Sequence, residues 1–134
     1  MIAGIGTDLC DCRRVAAALS RHGDRFAQRV LGQQEWLVYQ QRQAAHARKA
    51  LCYLATRIAA KEAFSKAIGL GMTGPMTWRA CQTLNNDRGR PVIVLEGALA
   101  SWFDERGWRA HVSLTDEGDY AQAFVVIDTI TPTL

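Results

Sequence analysis

The sequence predicts a small α+β domain in which a mostly antiparallel sheet packs against one long central helix. Its 134 residues are 49% hydrophobic and 22% charged and include 3 prolines, the composition of a single globular domain over 1–134. Residues 48–68 contain neither Gly nor Pro, which is typical of a long helix. Apolar segments elsewhere come in pairs joined by turn residues, without regular strand and helix alternation. Antiparallel hairpins are therefore expected instead of parallel βαβ units.

The first half of the chain is predicted to form one strand followed by three helices. Residues 2–9 are apolar except for Thr7 and Asp8, which indicates a buried strand that ends at a carboxylate. Asp11 is suited to cap the next helix, and Gly23 is suited to end it. The three helices are predicted at residues 12–22, 24–31 and 33–43.

The second half is predicted to hold the long helix and two hairpins. The helix at 48–68 is expected to end at Gly69 and Gly71, because glycine is favoured just after a helix. Turn-forming residues at 85–90 and 116–119 each separate two apolar segments. The hairpin strands are predicted at residues 77–84, 91–96, 109–115 and 120–127, with a helix at 97–106 between the two hairpins.

Composition excludes several classes of protein. The longest apolar stretch, near 121–127, is far shorter than the roughly 18 residues that cross a bilayer, so no membrane span is expected. The N-terminus lacks the basic and apolar regions of a signal peptide, so a cytoplasmic location is expected. The four cysteines form no C-x-x-C pair typical of zinc sites, and we assign them no function.

Charge is unevenly distributed along the chain. The first 100 residues carry 14 Lys and Arg against 7 Asp and Glu, whereas the last 34 carry 2 against 6. The basic part is expected to meet an anion, which can be nucleic acid, a nucleotide phosphate or an acidic protein. Five arginines surround Phe26 in the first two helices and form either a docking surface or a solvated helix face: Arg13, Arg14, Arg21, Arg25 and Arg29.

Glu62 is the most informative residue of the long helix. At about 100° per residue it falls within the apolar stripe that contains Leu54 and Ile58. A carboxylate there is desolvated unless a cation or donor compensates it, which makes it a candidate for chemistry. Ser65 and Lys66 flank it, and the alternative is an ordinary i,i+4 pair of Glu62 with Lys66.

Asp8 and Glu62 together indicate a site for a hard cation. Mg²⁺ takes one or two protein carboxylates and completes its shell with water and substrate phosphates. Asp8 alone is equally explained as a turn acceptor at a strand end. The loop 69–74 is no P-loop, because it follows its helix and lacks the terminal Gly-Lys-Ser/Thr. Its glycines are explained either by helix termination or by close approach of a phosphate.

Three segments stand out together: Gly4-Ile-Gly-Thr-Asp8, Lys61-Glu-Ala-Phe-Ser-Lys-Ala67 and His111-Val-Ser-Leu-Thr-Asp116. In this order and at these separations they resemble the signature segments of the bacterial holo-[acyl-carrier-protein] synthases. That family uses Mg²⁺ to transfer 4′-phosphopantetheine from coenzyme A to a serine of acyl carrier protein, releasing adenosine 3′,5′-bisphosphate. The resemblance therefore implies a transferase of lipid metabolism that serves fatty acid biosynthesis.

The resemblance also implies roles for individual residues. Asp8 and Glu62 match the metal ligands, and Glu62 and Lys66 match the catalytic residues, with Glu62 assisting serine deprotonation directly or through a metal-bound water. The matches to coenzyme A contacts are Lys61, Ser65, Lys66, Gly69, Gly71, Arg90 and His111. The matches to carrier-protein contacts are Arg14, Arg25, Phe26 and Arg29. The chain departs from many members at Asp116, where they carry His, and at Arg90, where they carry Lys.

Other interpretations stay open at this stage. A small basic RNA-binding or ribosome-associated module fits the pI of about 8.8 and the arginine cluster, although no RNA-binding signature is present. A structural subunit without activity is disfavoured by the presence of Asp8, Glu62 and Lys66. His111 is equally explained as a strand residue satisfied by the sheet.

The resemblance further implies a homotrimer with active sites between subunits. Residues 123–127 form an apolar run that breaks the alternation expected of a half-buried strand. Such a run is typical of a strand covered on both faces, and a second copy of the chain is the expected cover. Neither a membrane nor nucleic acid is expected as a partner.

Overall fold

The computed structural model describes residues 1–130, which contain five helices and five strands. Residues 131–134, the end of the predicted domain, lie outside the described residues. The helices are α1 (Cys12–His22), α2 (Asp24–Val30), α3 (Gln33–Ala45), α4 (Ala47–Ala67) and α5 (Gly97–Asp104). The strands are β1 (Ile2–Asp11), β2 (Cys81–Asn85), β3 (Pro91–Leu95), β4 (Trp108–Glu117) and β5 (Tyr120–Thr129).

Every strand pairing in the described residues is antiparallel, as the predicted α+β class requires. The larger sheet has the order β1-β5-β4, and β2 and β3 form a separate hairpin. Across the larger sheet, Ala123 of β5 lies opposite Asp8 on one side and Leu114 on the other. Since residues opposite one another share a face, these three side chains lie on the sheet face that packs against α4.

Helix α4 crosses the larger sheet and is buried around most of its circumference, because α1, α3 and β2 pack on its other sides. Six of its buried residues are alanines, whose small side chains let the neighbouring elements approach closely. A partly exposed strip remains along Ile58, Glu62 and Lys66. In residues 1–130, no helix has the length and hydrophobicity to cross a membrane.

Element boundaries differ from the predictions by one or two residues at several ends, among them β1, which runs to Asp11, and α5, which ends at Asp104, and by more in the hairpins. Strand β2 begins at Cys81 and not at 77, because the Thr77 Oγ1 accepts a hydrogen bond of 3.3 Å from the Ala80 amide and closes a turn there. Strands β4 and β5 are longer than predicted, since only Gly118 and Asp119 form the turn between them. Gly118 has a φ of 60°, which permits this tight connection.

Candidate active site

Two glycines bring strand β1 into direct contact with helix α4. A Cβ atom on Gly4 would collide with the carbonyl oxygen of Ala67, and one on Gly6 would collide with that of Ala63. Neither glycine has a positive φ, so close approach and not turn geometry is what requires them. The backbones of strand and helix therefore meet without intervening side chains.

This crossing places Asp8 beside the partly exposed strip of α4. Side chains two apart on a strand share a face, so Asp8 points towards the helix as Gly4 and Gly6 do. The Lys66 Nζ donates to the Asp8 Oδ1 at 3.2 Å and to the Thr7 carbonyl at 3.1 Å. Lys66 is about half-exposed, so its ammonium group remains available to a ligand.

Glu62 completes the group, although its position differs from the prediction. It lies on the partly exposed strip of α4 and not in the middle of a buried face, because almost every other side of the helix is covered. Partial burial raises the pKa of the Glu62 carboxyl, and repulsion from Asp8 raises it further, while Lys66 opposes the shift. The expected desolvation is thus present, and the carboxylate still faces accessible space.

The oxygen donors of Asp8 and Glu62 fit a hard divalent cation. Two carboxylates close enough to raise the pKa of one of them repel each other, and a shared cation relieves that repulsion. Mg²⁺ commonly takes one or two protein carboxylates, so this pair is sufficient. Within residues 1–130 no cluster of three or more His, Cys, Asp or Glu side chains is arranged to hold a metal.

The predicted phosphate contact of Lys61 is corrected by the structure. Its side chain is 0% exposed, and its Nζ donates to the Glu35 Oε1 at 2.6 Å and to the Cys81 carbonyl. The ammonium group is therefore enclosed by protein and turned away from the strip that carries Glu62. A phosphate cannot reach it in this conformation.

Ser65 has its hydroxyl bonded back to the helix in this conformation, and its contact with coenzyme A stays a prediction. The residue is 2% exposed, and its Oγ donates a 2.7 Å hydrogen bond to the Glu62 carbonyl one turn earlier in α4. This bond back to the helix is a common arrangement for serine within helices.

Gly69 and Gly71 end α4, as one of the two sequence interpretations held. Their φ angles are 81° and 61°, and their amides donate to the carbonyls of Lys66 and Ser65, each at 3.0 Å. A Cβ atom added to either residue would meet no other atom within 4 Å. Their contact with coenzyme A stays a prediction.

Arg90 and His111 lie apart from the carboxylate pair within one chain. Arg90 is in the exposed turn between β2 and β3. His111 lies on the outer face of β4 with its Nε2 3.3 Å from the Asp128 Oδ1. Arg109 holds the same carboxylate with two bonds of 3.0 and 3.1 Å and lowers the pKa of Asp128 to about 2. Their roles in binding stay predictions.

The predicted carrier-protein residues form a cationic surface on α1 and α2. Arg14, Arg25 and Arg29 are exposed, while Phe26 is half-buried. Arg21, His22, Arg25, Phe26 and Arg29 line a depression of about 380 Å³. Arg13 differs from these arginines, because it is held by Asp11 through bonds of 2.9 and 3.0 Å. Arg21, Arg25 and Arg29 form a positive rim around Phe26, and Arg14 is exposed on α1 outside this depression.

A second cationic region was missed by the sequence analysis. A cleft of about 730 Å³ runs between α3, α4 and β4, and the Tyr53 ring lies on its floor between the guanidinium groups of Arg42 and Arg57, at 4.8 and 4.1 Å. The basic residues that line this cleft, which we call the basic cleft, are Arg42, Arg48, Lys49 and Arg57. They come from two helices, so no short motif reveals them, although three of the four lie on one helix at 48, 49 and 57.

Known proteins resemble this chain over nearly its full length. Residues 4–125 match the 4′-phosphopantetheinyl transferase superfamily. The holo-[acyl-carrier-protein] synthase of Leptothrix cholodnii is 60% identical over 129 residues, which cover 96% of this chain and 98% of that protein. The synthase of Bordetella pertussis is 56% identical over 127 residues, covering 95% of this chain and 83% of that protein.

Solved structures of the same enzyme also superpose closely. The holo-[acyl-carrier-protein] synthase of Neisseria meningitidis matches with a TM-score of 0.89 at 38% identity and covers 96% of this chain and 100% of that one. The synthase of Bacillus anthracis, solved in complex with CoA (3′,5′-ADP), matches with a TM-score of 0.80 at 28% identity and covers 97% and 99%. The likeness therefore includes topology as well as sequence.

Proposed function

This chain belongs to the 4′-phosphopantetheinyl transferase superfamily, and we propose that it transfers 4′-phosphopantetheine from coenzyme A to a serine of acyl carrier protein, releasing adenosine 3′,5′-bisphosphate. The observation that carries the proposal is the convergence of Asp8, Glu62 and Lys66 where β1 crosses α4. Two carboxylates and one cation at an open position suit phosphoryl chemistry, in which positioning and charge neutralisation supply most of the catalysis.

Asp8 and Glu62 are the residues that would hold Mg²⁺. When bound, the ion would neutralise charge on the diphosphate of coenzyme A. Lys66 provides a second positive charge beside the proposed metal ligands, since its Nζ lies 3.2 Å from Asp8 and its side chain is half-exposed. An oxygen of the diphosphate can replace the Asp8 oxygen as the acceptor of this lysine.

Glu62 is suited to accept the proton of the attacking serine hydroxyl. Burial and the neighbouring Asp8 raise the pKa of its carboxyl group, which makes it a stronger base than an exposed glutamate. The backbone contact between Gly6 and Ala63, the residue after Glu62, fixes this part of the helix against β1. The base is thus carried on a rigid element and not on a loop.

The basic cleft is proposed as a second site for an anionic group. Its exposed cations are Arg42, Arg48 and Lys49, and arginine forms bidentate bonds to phosphate. Thr56 on the cleft wall lies about 9 Å from Glu62 along the axis of α4 but on the other side of the helix, so a group bound in the cleft is separated by α4 from Glu62 of the same chain.

The cationic surface on α1 and α2 is proposed to dock the carrier protein. An acidic partner suits the exposed cations Arg14, Arg25 and Arg29, and Phe26 provides an apolar centre beside the last two. Transfer to an acyl carrier protein places the enzyme in fatty acid biosynthesis, and we propose that it acts in the cytoplasm.

A homotrimer is the proposed assembly. The outer face of the larger sheet exposes Ile5 and Leu9 to 60% each and Phe124 to 47%. These residues lie on neighbouring strands, with Phe124 opposite Thr7, so they form a continuous apolar patch. Patches of this kind mark interfaces between proteins, and a second copy of the same sheet offers a complementary apolar surface.

The proposal is tested with purified protein, coenzyme A, Mg²⁺ and an apo acyl carrier protein. The carrier is expected to gain the mass of one 4′-phosphopantetheine group, with adenosine 3′,5′-bisphosphate released in equal amount. The RNA-binding alternative predicts no mass gain and tight, salt-dependent binding to RNA instead. Absence of the mass gain would contradict the transferase function, and tight RNA binding in that case would favour the alternative.

A further inference from the structure

A fully buried ion pair lies directly behind the proposed active site. The Lys61 Nζ is 2.6 Å from the Glu35 Oε1, and both side chains are 0% exposed. The Glu35 carboxylate also accepts from the Gly32 amide at 3.0 Å and from the Thr83 amide at 2.9 Å. Lys61 donates in addition to the Cys81 carbonyl. The pair therefore ties α4 to the start of α3 and to strand β2.

Stability alone does not explain this pair. Burying two charges removes them from water, and their attraction commonly does no more than offset that loss, so apolar residues of similar volume serve stability as well or better. What an ion pair adds is direction, because both oxygens of Glu35 are committed to partners on fixed backbone. The position of the Lys61 Nζ is therefore narrowly defined.

Helix α4 needs such a directional contact more than most helices do. Six of its buried positions are alanines, including Ala59, Ala60 and Ala63 around Lys61. A surface of methyl groups gives few directional contacts, so the bonds that Lys61 and Arg57 make to β2 contribute more to the alignment of this segment about its axis. Of these two buried cations, Lys61 is the one that adjoins Glu62.

We propose that Lys61 and Glu35 are positioning residues that set the rotation of α4 and so hold the Glu62 carboxylate opposite Asp8. This inference rests on the proposed function. With side chains reaching roughly 5–6 Å from the helix axis, a rotation of about 10° moves Glu62 by about 1 Å. A displacement of about 1 Å in catalytic geometry can lower the rate about 100-fold.

The test uses the double variant Lys61→Met with Glu35→Gln. The glutamine oxygen keeps an acceptor for one of the two backbone amides, and no unpaired charge stays buried, so the double variant is expected to fold with a modest loss of stability. Lys61→Met alone leaves the buried Glu35 carboxyl without its partner and is expected to be destabilised. We expect kcat of the double variant to fall about 10- to 100-fold, with the KM for carrier protein changed less than about 3-fold.

Binding of Mn²⁺, followed by electron paramagnetic resonance, provides a readout that does not depend on transfer. A displacement of Glu62 by about 1 Å would disturb the spacing of the two carboxylates, so the double variant is expected to bind Mn²⁺ at least about 10-fold more weakly, an effect of the size seen when support of metal ligands is lost. A merely structural pair would leave this affinity unchanged in a folded variant.

Gln82→Met is the matched control. Gln82 on β2 is also buried and polar, and its Oε1 accepts hydrogen bonds from the backbone amides of Gln34 and Glu35 at 3.0 and 3.1 Å. The change removes the side-chain bonds of β2 to the backbone of α3, including the Glu35 amide, while leaving both side chains of the Lys61–Glu35 pair in place. Its kcat and Mn²⁺ affinity are expected to stay within about 2-fold of those of the unmodified protein.

Two results would overturn the inference. One is a folded double variant whose kcat and Mn²⁺ affinity are within about 2-fold of the unmodified protein. The other is an equal loss in Gln82→Met, which would indicate general loosening of the core. Failure of the proposed function is a separate result, since the unmodified protein itself would then transfer nothing to the carrier.

Discussion

The ammonium group of Lys66 lies 3.2 Å from the carboxylate of Asp8, across the contact between α4 and β1. The pair is partly exposed, so it contributes only about 0–1 kcal/mol to stability. A contact this weak is readily exchanged for one with a diphosphate oxygen. Gly4 and Gly6 let the backbones of strand and helix approach closely without this bond, which leaves Lys66 free to serve the substrate.

Gly6→Ala is expected to separate β1 from α4, because the new methyl group would meet the carbonyl oxygen of Ala63. Overpacking of this kind costs about 1–3 kcal/mol, and Asp8 would move away from Glu62, so kcat should fall as well. Thermal unfolding and transfer rates measure both effects. Gly107→Ala is the control, since Gly107 has a φ of 64° but open space around it. It should lower stability alone, and an unchanged kcat in Gly6→Ala would contradict the account.

The raised pKa of Glu62 predicts how stability depends on pH. The folded protein holds this proton more tightly than the unfolded chain does, so ionisation of Glu62 lowers stability as pH rises above the ordinary value of 4.5. With metal removed by EDTA, Glu62→Gln should therefore have a higher Tm than the unmodified protein at pH 7. The difference should shrink towards zero below pH 4.5. A Tm difference that is constant with pH would show that the Glu62 pKa is not raised.

Charge reversal at Arg14 and Arg25 is expected to weaken docking of the carrier protein. Arg14→Glu and Arg25→Glu should each raise the KM for the carrier at least about 5-fold, and added salt should have a similar effect. The KM for coenzyme A should not change. Arg88→Glu, in the exposed turn between β2 and β3, is the control for charge alone. Equal changes in the KM for the carrier protein and the KM for coenzyme A would contradict a docking role for these arginines.

Phe124→Asp is expected to break the proposed trimer, because it puts a charge in the centre of the exposed apolar patch. Light scattering should report a monomer, and transfer activity should fall with the loss of assembly. Leu37→Asp changes an equally exposed residue on α3 and should alter neither property. A fully active monomer of the unmodified protein at assay concentration would contradict the trimer and the shared active site.

Much of the fold is readable from local residue patterns. The absence of Gly and Pro predicts α4 almost to the residue, and Asp11 caps α1 as expected by accepting from the Arg13 amide at 2.9 Å. The predicted start of β2 was wrong because the actual start depends on one hydrogen bond, which the Thr77 Oγ1 accepts from the Ala80 amide. Propensity does not encode such a bond.

The site is only partly readable for a related reason. Residue type and spacing identify Asp8 and Glu62, yet a helical wheel assumes one buried face, whereas α4 is covered on nearly all sides. The burial of Lys61 depends on Glu35, which is 26 residues away in sequence. The basic cleft likewise forms only when α3, α4 and β4 come together.

The most direct test of the central claim is the rate at which apo carrier protein gains 4′-phosphopantetheine, measured by intact-protein mass spectrometry for Asp8→Asn and Glu62→Gln beside the unmodified protein. Both variants should fold, since each removes a carboxylate from a mutually repelling pair. Each should transfer at least about 100-fold more slowly, as expected when a group that stabilises developing charge is lost. Full transfer by either folded variant at limiting Mg²⁺ would contradict the assignment of the active site to the crossing of β1 and α4.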